Sequence, residues 1–353
     1  MTQRKLLLGN EAIARGLIEN GCAMATSYPG TPASEILTAV AHLHKTLQIE
    51  MHSQWAINEK VALEIAYAGA QAGLRTAVAM KQVGLNVASD PLMSAAYMGT
   101  RGGFVVISAD DPGPHSSQTE QDSRLMAMLA KIPVLDPGSP RQARDMIDLA
   151  FTLSEQFEIP VMLRPTTRVC HARQDVELRA PAILDRAAAF EKDPARWAAT
   201  PKFRQQLHRE LEAKLASIAR FEATAPQRLN PAVDARRAVV AAGVAAAHTQ
   251  EILQTMGLWS ELPLYQVLQP YPLHEAFILQ WRKSYDEVLV IEETTGVIEM
   301  QLADRDRVRG KLGGMVPAVG ELTPEVIEQV LERFNDRPVR EVKLPAATGR
   351  RPT

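Results

Sequence analysis

The chain has 353 residues, 39 of them Lys or Arg and 41 Asp or Glu, for a formal charge of −2. With 46% hydrophobic residues, this balance fits a globular protein of about two domains and offers neither a basic nucleic-acid surface nor a like-charged tail. No run reaches the ~18 apolar residues of a membrane span. The start has no long apolar core or cleavage site, so no signal peptide is expected. Cys22 and Cys170 form no CxxC, which fits a cytoplasmic setting and leaves no cysteine-held cluster or zinc within the chain.

Strands and helices are expected to alternate from residue 5 to about 170. Glu11 to Asn20 reads as a helix, and Ala23 to Ser27 as a short strand that stops at Pro-Gly-Thr-Pro. Ser34 to His44 is helical, with Ile36, Leu37, Val40 and Leu43 on one face, and Glu59 to Ala72 forms the next helix. Thr76 to Met80 is a strand, followed by a glycine-containing loop and a helix through Leu92. Gly103 to Ala109, Pro133 to Leu135 and Pro160 to Leu163 complete the strands, the last two separated by a helix from Pro140 to Gln156. Apolar strands alternating with helices predict a parallel sheet covered on both faces.

Residues 181–232 change character and read as a charged, exposed helical connecting arm. A second α/β unit is expected over 233–342, with strands at Ala238 to Ala242, Leu264 to Leu268 and Glu287 to Glu292. Its helices fall at Ala245 to Met256, Pro272 to Trp281 and Thr323 to Phe334, and 343–353 reads as a flexible tail.

Polar motifs fall just past the strands of the first unit, where ligands of parallel sheets bind. Glu59 opens a helix whose stripe of Ala62, Ala66, Gly69, Ala70 and Gly73 would let another helix approach closely. Such contact would bury the carboxylate and raise its pKa, making it an acid–base group. The plainer alternative is a first-turn carboxylate favoured by the helix dipole behind an Asn58 cap. Thr31 sits in a loop stiffened by Pro29 and Pro32 and presents a hydroxyl, or merely caps a turn. Lys81 is an anion ligand or a solvated lysine, and His115 a proton donor or a satisfied loop histidine. Asp110 and Asp111 are adjacent, but no second ligand set stands at a defined spacing, so no metal is expected. His42 and His44 lie on different helix faces. Walker, GxGxxG and GxSxG motifs are absent.

The segments GNEAIARG, YPGTPASEI, NEKVALE, MKQVGLNVASDPLM, ADDPGPHSSQTEQDSR, AKIPVLDP and LRPTTRVCH, then YPLHE, VLVIEE and GELTPE, occur in this order. Together they closely resemble the α subunit of indolepyruvate ferredoxin oxidoreductases, a branch of the thiamine diphosphate-dependent 2-oxoacid:ferredoxin oxidoreductases. The resemblance implies a thiamine pyrimidine-binding domain over 1–180 and a transketolase C-terminal-like domain over 233–342. Glu59 matches the glutamate that hydrogen-bonds the aminopyrimidine ring nitrogen and so promotes loss of the thiazolium proton. With Thr31 and His115 it makes the expected catalytic set. Tyr28, Pro29, Gly30, Lys81, Gln82, Gly84 and Asn86 are expected to line the cofactor, and Thr31, Lys81, His115 and Ser116 the substrate.

The implied activity is oxidative decarboxylation of an aryl 2-oxoacid, indolepyruvate-like, with coenzyme A taking the acyl group and ferredoxin the electrons. Subunits of this type usually continue into a diphosphate-binding thiamine domain and a ferredoxin domain. The GDG-type magnesium–diphosphate motif and cluster cysteines are not in this sequence. They are expected on a partner β subunit and a ferredoxin-type subunit of a hetero-oligomer, whether this chain is a split subunit or a fragment. A subunit of a non-oxidative 2-oxoacid decarboxylase and a non-catalytic assembly subunit are the alternatives. Neither nucleic acid nor membrane is an expected partner.

Overall fold

The computed structural model describes residues 3–339 apart from 199, 233, 234, 303 and 305. The expected tail, 343–353, lies outside them. In the first unit the chain runs β1 (Arg4–Leu8), α1 (Gly9–Glu19), β2 (Met24–Ser27), α2 (Ser34–Thr46), β3 (His52–Trp55), α3 (Glu59–Gln71), β4 (Thr76–Lys81), α4 (Gln82–Val87) and α5 (Ser89–Met98). It continues through β5 (Phe104–Ala109), α6 (Ser123–Ala130), β6 (Val134–Leu135), α7 (Pro140–Phe157), β7 (Val161–Leu163), α8 (Thr167–His171) and β8 (Arg173–Glu177).

Six strands form one parallel sheet in the order β3-β2-β4-β5-β7-β6. The apolar runs drive this arrangement: β5 (FVVISA) and β7 (VML) are buried along their whole length, as strands with helices on both faces must be. The stripe Ala62, Ala66, Gly69 and Ala70 is buried, but not by a partner helix alone. It lies mainly on β2 and β4, with α5 beside it, and Thr26 Oγ1 donates to the Ala62 carbonyl at 2.7 Å. The expected glycine-containing loop after β4 is instead the short helix α4, which starts at once at Gln82. β1 and β8 pair antiparallel as a separate ribbon.

After β8 come α9 (Pro194–Trp197) and α10 (Pro201–Ile218). The latter differs from a purely exposed arm. Leu207, Leu211, Leu215 and Ile218 recur at helical spacing and are buried, and α10 packs on α5 and α7. The second unit comprises β9 (Gln227–Arg228), β10 (Arg237–Ala242), α11 (Gly243–Thr255), β11 (Leu264–Val267), α12 (Glu275–Ser284), β12 (Glu287–Ile291), α13 (Val297–Gln301), β13 (Val308–Arg309) and α14 (Pro324–Phe334). Its sheet order is β13-β12-β10-β11-β9, parallel except for β9, with separate apolar clusters on its two faces. The helix expected from Pro272 starts only at Glu275.

The two units are joined by backbone as well as side chains. Val134 N–H donates to the Tyr271 carbonyl at 2.8 Å and Asp136 N–H to the Leu268 carbonyl at 3.0 Å.

Candidate functional site

In a parallel sheet every strand delivers its following loop to the same edge. Here β2, β4, β5 and β7 deliver the turn at 28–33, the start of α4, the loop 110–122 and residues 164–167. Side chains tie these segments together. Lys81 Nζ donates to the Ser116 carbonyl at 3.0 Å, Gln82 Nε2 to Ser117 Oγ at 2.9 Å, and Asn86 Nδ2 to Gln121 Oε1 at 2.9 Å. Ser116 Oγ reaches the Thr31 carbonyl at 3.4 Å. Gly30 N–H donates to Ser34 Oγ at 2.8 Å, which closes the turn over the start of α2. Thr31, Tyr28 and Pro29 are exposed.

Asn58 caps α3, its side chain accepting from Val61 N–H at 2.9 Å. The cap places Glu59 in the first turn. Glu59 is half-buried rather than buried, and no hydrogen bond or ion pair engages its carboxylate among the described residues. It lies against Gly84 of α4, where an added Cβ would come within 2.5 Å of Glu59 Cγ. Glycine there gives the carboxylate its room. An unpaired carboxyl group in a cradle of this kind fits the ring nitrogen of an aminopyrimidine, a lone-pair acceptor with which it would share one proton. Just before it in the chain, Ile57 is 82% exposed and Trp55 is exposed, as is Val87 at the end of α4.

Asp110 and Asp111 turn out to have separate structural tasks. Asp111 Oδ2 accepts from Ser116 N–H and Ser117 Oγ, both at 2.8 Å, and Oδ1 accepts from Thr167 Oγ1 at 2.7 Å. Burial alone would raise its pKa, but these bonds outweigh it and hold the carboxyl at about 2. Asp110 accepts from Arg164 Nε at 2.7 Å and from Ser123 N–H at 3.0 Å. His115 is turned toward the second unit, with Nε2 3.5 Å from Glu321 Oε2.

Behind these loops lies a buried charge layer that sequence motifs did not single out. Arg124, fully buried, donates to both oxygens of Asp122, to Glu292 Oε2 at 2.9 Å and to the carbonyls of Glu293 and Thr295. Arg164 also reaches Asp136 Oδ2 at 3.3 Å and Thr294 Oγ1 at 3.1 Å. Burial alone would raise Asp122, yet Arg124 and Arg164 hold it at about 2. Burial pushes Glu292 up to about 6 against the pull of Arg124, and Glu293 up to about 7 against that of Arg164. Among the described residues no side chain donates to either buried oxygen of Glu293, and the backbone at Leu322 is a polar neighbour. One signal in the sequence marks the layer: Asp110, Arg164 and Glu292 each directly follow an apolar strand run.

The sequence of residues 15–242 matches the family model described as pyruvate flavodoxin/ferredoxin oxidoreductase, thiamine diP-binding. The chain is 38% identical to indolepyruvate oxidoreductase subunit IorA of Methanothermobacter thermautotrophicus over 98% of its own length and 57% of the relative's. It is 37% identical to the same-named subunit of Thermococcus kodakarensis over 94% of its length and 53% of the relative's. The chain thus spans little more than half the length of these relatives. Among solved structures it resembles 2-oxoglutarate:ferredoxin oxidoreductase from Magnetococcus marinus, with a TM-score of 0.74 at 17% identity over 94% of this chain and 65% of that one. It also resembles a split-gene transketolase, with a TM-score of 0.58 at 14% identity over 93% of this chain and 97% of that one. At these identities the structures show a shared α/β fold.

Proposed function

Since the chain belongs to the pyruvate flavodoxin/ferredoxin oxidoreductase family, we propose that it supplies the pyrimidine-binding half of a thiamine diphosphate-dependent 2-oxoacid:acceptor oxidoreductase. The proposed domains are 1–180 for the cofactor, 181–232 as connector and 233–342 as the transketolase C-terminal-like unit. The observation that carries this reading is Glu59: a half-buried carboxylate without a partner among the described residues, seated on Gly84 at the strand-end edge.

Bound there, the cofactor supplies the nucleophilic carbon and the electron sink that decarboxylation of a 2-oxoacid requires. Glu59 holds at its carboxylate the proton shared with the aminopyrimidine ring nitrogen. Gly84 keeps the carboxylate in place, and Tyr28, Pro29, Gly30, Gln82 and Asn86 bound the cavity. Lys81, already within reach of Ser116, orients the substrate carboxylate. The unengaged hydroxyl of Thr31 donates to a substrate oxygen, and His115 handles a proton at an imidazole nitrogen. An aryl 2-oxoacid is the proposed substrate, in line with the indolepyruvate named in the curated relatives. Coenzyme A as acyl acceptor, a ferredoxin-type electron acceptor and a cytoplasmic site complete the proposal. The exposed Trp55 and Ile57, just before Glu59 in the chain, and Val87 at the end of α4 suit a partner β subunit that carries the diphosphate half.

The test is reconstitution with a subunit bearing GDG and CxxC motifs. The complex is expected to consume an aryl 2-oxoacid and coenzyme A, form the acyl-coenzyme A and reduce a low-potential dye. Stoichiometric aldehyde without dye reduction would instead identify a non-oxidative decarboxylase.

A further inference from the structure

The 110–122 loop is held by more than its own unit. Its two ends are fixed through arginines to the segment that follows β12. Arg164 bridges Asp110 and Thr294, and Arg124 bridges Asp122, Glu292 and the Thr295 carbonyl. Its middle meets the second unit again just before α14. Gly113, at φ +60°, lies so close that an added Cβ would stand 3.0 Å from Glu321 N. Only glycine takes that conformation and that approach without strain.

Glu321 itself has one-tenth of its side chain exposed. Its carboxylate meets the fork of Arg168, with Nη2 at 2.8 Å from Oε2 and Nε on the other oxygen. Oε2 is also the atom facing His115 Nε2 at 3.5 Å. Burial alone would raise Glu321, but Arg168 and His115 hold it low, so the group facing the imidazole is an anion. A ring nitrogen that faces a carboxylate donates its proton to it, which leaves the other nitrogen as the acceptor whenever the ring carries a single proton.

We propose that Glu321 is a positioning residue for the candidate site: from the second unit, it orients His115 as the Nε2–H tautomer and leaves Nδ1 as the working nitrogen. This rests on the place given to His115 in the proposed function, and it assigns the second unit a part in the chemistry of the first. Arg168 is the brace that keeps the Glu321 carboxylate facing the ring.

Nitrogen-15 spectra of the histidine rings in the chain alone test this without cofactor, the His115 signals being assigned with His115→Gln. The native chain and Glu321→Gln, which keeps an acceptor oxygen, are expected to show one Nε2–H tautomer with an exchange-protected proton. Glu321→Leu is expected to lose that protection, whereas Arg168→Leu retains part of it. In the reconstituted complex, Glu321→Leu should lower kcat about 10-fold, less than the ~10²-fold or more lost when an acid–base group is removed, because His115 is misoriented and not deleted, with Glu321→Gln restoring most of it. An unchanged His115 ring in Glu321→Leu would overturn the proposal. So would Arg168→Leu reproducing the full loss with the ring signature intact, because the effect would then be purely structural. A ring signature that behaves as expected, in a native complex that turns over no 2-oxoacid, would fail the functional reading and leave the positioning standing.

Discussion

The strand-end loops and the charge layer behind them are built from the same residue types and behave in opposite ways. In the layer, Arg124 spends its donors on two carboxylates and two carbonyls, all out of water. At the strand-end edge, the carboxylate of Glu59 and the hydroxyl of Thr31 have no hydrogen-bond partner among the described residues. Buried charge survives only when its bonding capacity is met, so the saturated layer serves the fold. Unmet capacity at a half-open edge is what a ligand can fill. Glu293 and one oxygen of Asp136 are the exceptions within the layer, buried with no side-chain donor among the described residues.

The contrast breaks most sharply at Arg124. Arg124→Met strands the carboxylates of Asp122 and Glu292, and removal of one member of such a set costs about 3–5 kcal/mol. Denaturant unfolding should show that loss; a change below about 1 kcal/mol would mean the layer does not hold the units together. Glu59→Gln should do the reverse. In the reconstituted complex, turnover should fall by roughly 10²-fold or more, while the unfolding midpoint of the chain stays within about 0.5 kcal/mol. Near-normal turnover would remove Glu59 from the chemistry.

Glu293 gives the most gradual effect. Its folded value, about 7, lies above its ordinary 4.5, so the folded chain binds the extra proton. Its contribution is fully present below about pH 4.5 and is lost as pH rises through about 7. Stability should therefore fall across that window, with a limiting slope of about 1.4 kcal/mol per pH unit for one proton. Glu292, pushed to about 6, adds in the same direction over the lower part. Glu293→Gln should flatten the slope when unfolding is measured between pH 5 and 8; an unchanged slope would show that Glu293 is not the group responsible.

Much of the first sheet was legible because β4, β5 and β7 are mostly apolar and buried along nearly their whole length, and burial on both faces leaves little other choice. β3 escaped notice because HSQW is polar and lies at the sheet edge with no buried face. β8 escaped for a related reason: RQDVE pairs only with β1, away from the main sheet. α4 was hidden by its length, six residues containing a glycine. The short polar motifs placed Thr31, Lys81, Gln82 and Ser116 on adjoining loops, and hydrogen bonds now join them. The charge layer was out of reach because its partners are far apart in the chain: Arg124 meets Glu292 across 168 positions. No local pattern encodes such a contact, and only the charges that close apolar strand runs hint at it.

The two backbone bonds from Val134 in β6 and from Asp136 just after it to residues 271 and 268 have a consequence for solubility. β6 is the last strand of its sheet, and a bare sheet edge templates the addition of any passing strand. Residues 268–271 occupy that edge. A chain whose second unit came loose would expose an unsatisfied row of amides and carbonyls along with its charges. Loss of docking would then be read out as self-association before complete unfolding, and the second unit doubles as the cap that keeps the first from polymerising.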